Sequence, residues 1–292
     1  MGIVIRQSAK ASIVTYLGTA IGTFNVIFLY NQFLSQAQVG LIAGALVSIP
    51  LIFASFTQLG IPHIAVRFFP HFDDPAKGHN GFFGFLMIAP LFGLSLFVIG
   101  YLSLHEVFNQ IYSENSPLLP TYFYYMIPLT ASYLYMTVLE AYARVHLRIV
   151  VPAIIRELFL RISNGLLILS FGMGYIDFHQ LIQCITLSYL VAVFGFLIYI
   201  KQLKRFYTRL DFSFLRQPIF KEMLGYGGWV LLAGASFTLI QHIEKLMLPA
   251  YAGGLSTTAI FDINSRMGLM IAIPRNVIAA ISTPLLAQAW KR

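Results

Sequence analysis

From Ala11 to Val66 the chain runs for 56 residues without one Lys, Arg, Asp or Glu. A helical membrane crossing takes about 20 apolar residues, so this run predicts two helices. The polar stretch from Asn31-Gln32 to Gln38 marks the hairpin between them. Further uncharged runs follow, and the short ones join across isolated charges. The pattern predicts eight spans, at 11–34, 40–66, 81–104, 121–142, 152–174, 179–200, 224–249 and 258–283. The runs are continuous, whereas the strands of a membrane barrel would alternate over about ten residues, so the expected fold class is all-α, a polytopic membrane helix bundle. Arg6 and Lys10 resemble the start of a cleavable signal. The apolar stretch behind them is far longer than a signal's core, and it is expected to stay as the first span.

Composition agrees. Hydrophobic residues make up 58% of the 292 and charged residues 10%, where soluble domains carry about 25% charged. A soluble fold needs a polar skin that this chain lacks. A single cysteine, Cys184, excludes a disulfide scaffold. The net charge of +8 would raise nucleic acid as a partner in a soluble protein, but its distribution makes that unnecessary. Sixteen of the 19 basic residues fall before span 1, after spans 2, 4, 6 and 8, or at the start of span 5, and none in the opposite loops 35–39, 105–120, 175–178 and 250–257. The positive-inside rule then places both termini in the cytoplasm.

The loops leave little room for other machinery. The longest opposite loop, 105–120, has 16 residues and cannot hold a folded domain. The segment 201–223 alternates basic with apolar residues. It reads either as an amphipathic helix on anionic lipid or as a basic linker that fixes orientation. Nucleophile-elbow, zinc-protease and phosphate-loop motifs are absent, so no catalytic, cofactor-binding or metal-binding residues are assigned and the chain is not expected to be an enzyme. Gly18-x-x-x-Gly22 and Gly40-x-x-x-Gly44 are candidate close-packing pairs. Tyrosines such as Tyr122, Tyr124, Tyr125, Tyr133 and Tyr135 suit an interfacial belt or stacking on sugars.

The remaining three cations, Lys245, Arg266 and Arg275, fall inside spans 7 and 8. An ionisable residue in a span costs about 2.5–3.5 kcal/mol at its centre and is a functional candidate by default. At about 1.5 Å per residue Arg266 lies near mid-membrane and Arg275 near the cytoplasmic edge. Spacing lets Asp262 pair with Arg266 on one helix face; these charges read either as two internally neutralised pairs, Asp262–Arg266 and Glu244–Lys245, or as a cationic wall with acidic partners lining a polar cavity. Asp262, Arg266, Glu244, Lys245 and Arg275 are therefore the candidate substrate-binding residues. Arg156, Glu157 and Arg161, with Glu140 and Arg144, are read as helix-end anchors at the cytoplasmic mouth.

Several stretches resemble one family. Ile5-Arg6-Gln7-Ser8, Gln38-Val39-Gly40-Leu41 and Gln58-Leu59-Gly60-Ile61-Pro62, running to Arg67-Phe68, are similar to its first helix pair. Ile240 to Leu248, with Glu244-Lys245, resembles its seventh helix, where Asp is common in place of Glu244. Ile273-Pro274-Arg275 and Pro284 to Ala287 resemble its eighth. This is the polysaccharide transporter branch of the multidrug/oligosaccharidyl-lipid/polysaccharide exporter superfamily, the lipid-linked oligosaccharide flippases. The resemblance implies two six-helix lobes around a central cavity and alternating access. It also implies export of an undecaprenyl-pyrophosphate-linked glycan across the bacterial inner membrane for surface polysaccharide such as O-antigen. On that plan 1–205 is a first six-helix lobe, 206–222 a cytoplasmic linker and 223–292 the first two helices of a second lobe, so the sequence reads as a fragment. The implied partners are the lipid-linked oligosaccharide, membrane lipids and glycan-assembly proteins. No cofactor is implied, and any coupling ion is unspecified. A multidrug exporter of the same superfamily and a membrane glycan polymerase or ligase are the competing functions.

Overall fold

A computed structural model describes residues 2–74, 79–206, 213–251 and 253–268. Among these the chain is predominantly helical and contains no strand. Among the described residues five helices are long and apolar enough to cross a membrane: Arg6–Phe33, Gln36–Thr57, His79–Ser103, Phe178–Gln202 and Pro218–Ala250. The chain is a multi-pass membrane protein with an all-α bundle, as the uncharged runs predict; of the eight expected spans, 121–142 and 152–174 are not among the five, and 258–283 is described only as far as residue 268.

We number the main helices α1 (Gly2–Phe24), α2 (Leu46–Thr57), α3 (Ile61–Phe72), α4 (Phe82–Ser103), α5 (His105–Tyr112), α6 (Met126–Val145), α7 (Leu160–Gly172), α8 (Phe178–Gln202), α9 (Pro218–Met247) and α10 (254–268). Helix α6 is the axis of the bundle and packs on α2, α3, α4 and α8, while α2 also carries α9. The second predicted span, 40–66, is two helices. The backbone breaks at Gln58–Gly60, where Gly60 takes φ +69°. A side chain there would be strained and would also overlap the Gly227 carbonyl of α9, so glycine permits both the turn and the crossing.

The ends of the bundle differ in chemistry. At the basic end an aromatic box of Phe69, Phe72, Phe82, Tyr142 and His146 joins α3, α4 and α6. Arg67 lies over the Tyr226 ring at 4.3 Å and pairs with Glu222, tying α3 to α9. The segment 201–223 is not one interfacial helix in its described part. Helix α8 ends at Gln202, a short 3-10 turn covers Ser213–Arg216, and α9 begins at Pro218, whose ring suits a first helical turn. Residues 207–212, including Arg209, lie outside the described residues.

At the opposite end the last carbonyls of α9 have no partner within their own helix. Tyr112 donates to the Leu246 carbonyl in the last turn of α9, and Asn115 and Ser116 donate to the Ala250 and Pro249 carbonyls in the 3-10 turn that follows it. The 105–120 segment, expected as a plain loop, is thus helical in α5 and caps α9. The glycine pairs are helix contacts. A Cβ on Gly40 would overlap the Leu255 carbonyl of α10, and one on Gly44 would meet Thr258 at 2.7 Å. Gly18 and Gly22 admit the backbone of Glu157 and the side chain of Arg161 in the same way.

Candidate functional site

Inside the bundle, α1, α2, α6, α7, α8 and α10 enclose a cavity of about 270 Å³. Its polar lining comprises Asn25, Tyr30, Tyr133, Arg156, Glu157, Arg161, Asn164, Tyr189 and Arg266, set among Val26, Leu46, Leu129 and other apolar side chains. Three stretches of wider π-helix, Asn25–Tyr30, Gly40–Ala45 and Ile154–Phe159, all contribute to the wall. Such turns recur at functional sites because the extra residue re-aims the side chains that follow.

Each of the three lining arginines is paired with a carboxylate, of which only Glu157 itself lines the cavity. Arg156 donates to Glu140 at 2.8 Å, and Arg144 donates to the other oxygen of Glu140 at 3.0 Å. Arg161 donates to Glu157 at 2.5 Å. Arg266 Nε donates to Asp262 Oδ2 at 2.6 Å, and Lys245 Nζ binds Asp262 Oδ1. Asp262 is fully buried, whereas the three arginine side chains keep 29–34% exposure. That residual exposure matters because each guanidinium lines the cavity and retains donors beyond those its carboxylate occupies. Among the residues that line the cavity three arginines face one carboxylate, Glu157, an excess of two positive charges on its wall.

Neutral groups complete the wall. Asn25 donates to the Arg161 carbonyl at 2.7 Å, spanning α1 to α7. Tyr133 donates to Tyr189 at 3.0 Å, and Tyr189 also bonds Asn164. The Asn164 Oδ1 atom is buried with no protein partner, so one acceptor stands beside the arginine donors.

The structure sorts the residues expected from sequence. Arg266 and Asp262 pair as spacing predicts. Lys245 does not pair with Glu244: it reaches across the turn after α9 to Asp262, and Glu244 is exposed. Adjacent residues on a helix diverge by about 100°, which is why the neighbour pairing fails. Arg275 lies outside the described residues. Arg156, Glu157 and Arg161, read from sequence as helix-end anchors, line the cavity. Glu157, Leu160, Arg161 and Asn164 follow the i, i+3, i+4, i+7 pattern of a single helix face. That spacing is the signal for Asn164, which sequence reasoning missed. Asn25 carries a weaker one, an amide within an otherwise apolar span. Tyr30 and Tyr189 carry none, and Tyr133 is one of several tyrosines that the sequence alone does not tell apart.

Among the described residues no group of three or more His, Cys, Asp and Glu side chains is arranged to hold a metal ion. Compared with family models, curated proteins and solved structures, the chain gives no match.

Proposed function

We propose that this chain belongs to an exporter that moves the head of a lipid-linked oligosaccharide, carried on a pyrophosphate, across the bacterial inner membrane by alternating access, with the N-terminus in the cytoplasm. The observation that carries the reading is the cavity: three arginines with spare donors line a polar space within a bundle whose outside is apolar. Guanidinium is the side chain best matched to phosphate, because its planar fork offers paired donors. A pyrophosphate diester carries one negative charge on each phosphate, which complements the two excess cations. Asn25, Asn164, Tyr133 and Tyr189 add donors and acceptors suited to a hydroxylated head. An exporter of cationic drugs would be served by unpaired carboxylates, and each acid in this network is matched by at least one cation.

The orientation follows from the excess of basic residues at one end of the bundle. The test is genetic. Expressed in a bacterium lacking its lipid-linked oligosaccharide flippase, the gene is expected to restore surface glycan. Restored tolerance to lipophilic cations with no return of glycan would overturn the reading.

A further inference from the structure

Asp262 is bound by two cations of different placement. Arg266, four residues on, lines the cavity. Lys245 comes from α9, with its side chain 13% exposed, and does not line the cavity. A carboxylate buried this completely is strongly destabilised if its only cation leaves, because nothing then offsets its lost hydration. With a single cation, Arg266 could not turn to a substrate without stranding Asp262.

We propose that Lys245 is a positioning residue: it keeps the buried Asp262 carboxylate paired while Arg266 transfers its donors from Asp262 to an anionic group entering the cavity. The role deepens the function proposed above and rests on it. Lys245 touches no substrate. Its effect is to let the Asp262–Arg266 pair open at little cost, so the pair restrains Arg266 in the empty cavity and yields it to phosphate. The other titratable groups facing Asp262 are His242 of α9, bonded to Ser48 at 3.1 Å, and Tyr30 after α1. Neither bonds Asp262, so neither substitutes for Lys245.

The role predicts a proton-linkage signature that a packing role would lack. In Lys245→Met, an anion that takes Arg266 leaves Asp262 without a cation, and the carboxylate must take up a proton. The probe is a short-prenyl diphosphoryl sugar, whose diphosphate diester does not titrate near neutral pH. Its binding to the full chain in nanodiscs would be measured by calorimetry in buffers of different ionisation enthalpy. The wild type is expected to bind with little linked proton uptake and a flat pH profile. Lys245→Met should take up close to one proton per anion. Its affinity should drop by at least tenfold at alkaline pH and recover as pH falls. Lys245→Arg should behave as the wild type, which controls for folding. Lys245→Met with Asp262→Asn should bind without pH dependence, which separates Asp262 from His242. A Lys245→Met profile parallel to the wild type would overturn the handover while leaving the function standing. No binding to the wild type would overturn both.

Discussion

Asp262 and Arg266 are the pair on which the site turns. Arg266→Ala removes one of three guanidinium groups and frees Asp262 to bind Lys245 alone, so the fold keeps a compensated carboxylate. It is expected to abolish glycan export with near-normal membrane levels, and Arg266→Lys should retain part of the activity as a point charge. A charge swap, Asp262→Arg with Arg266→Asp, moves the cation off the cavity wall, and export should stay lost; normal export from the swapped protein would make the pair structural. A second residue-scale prediction concerns His146 at the basic end, beyond the last turn of α6. Burial, aided by Arg205 and His79 and opposed by Asp73, pushes its imidazole down to about 4. The unfolded chain therefore takes up a proton near the ordinary value of 6.5 that the folded chain refuses. The stability is present above that value and lost as pH falls towards 4. The melting temperature should drop between about pH 7 and about pH 5, less steeply in His146→Phe. Equal slopes would remove this group from the account. The Asp262–Arg266 pair was legible in the sequence because it lies within one helix. Lys245 was legible as a buried cation, but its partner was not, because that contact spans 17 residues and a turn.

At the scale of elements, close approach of helix backbones builds the cavity wall. Gly40 lies under the Leu255 carbonyl, a backbone atom that cannot move aside as a side chain can. Gly40→Ala is expected to cost about 1–3 kcal/mol through overpacking, read as a lowered melting temperature. Gly100, also helical, has open space where a side chain would project, with no atom within 4 Å of a Cβ placed there. Gly100→Ala should therefore be neutral or gain up to about 1 kcal/mol from helix propensity. Equal effects at the two sites would contradict the packing assigned to α10. Helix existence was readable from uncharged length, and the glycine pairs from their spacing. The break at Gln58–Gly60 was not, because it falls inside the uncharged run; in the backbone it is marked by Leu59 and Gly60, both left-handed. The π-helical stretches left no composition signal either. Arg156 and Glu157 lie in one of these stretches and line the cavity, although their place in the sequence suggests the mouth.

For the molecule as a whole, the two ends must face different compartments if the basic residues set its orientation. In a Cys184→Ala background, Glu114→Cys and Tyr175→Cys place thiols at exposed positions on the end that lacks basic residues, and Arg148→Cys places one at the basic end. An impermeant thiol reagent should label the first two in intact cells and the third only after permeabilisation. Labelling of position 148 in intact cells would reverse the orientation. The central claim is more direct: the cavity selects anions. The decisive measurement is a binding titration of the full chain in nanodiscs with a diphosphoryl sugar on a short prenyl chain, run beside tetraphenylphosphonium. The account predicts saturable binding of the diphosphate that weakens at least tenfold when Arg161 and Arg266 are both replaced by Gln, and no comparable binding of the cation. Binding of the cation in preference, or diphosphate binding indifferent to both arginines, would contradict it.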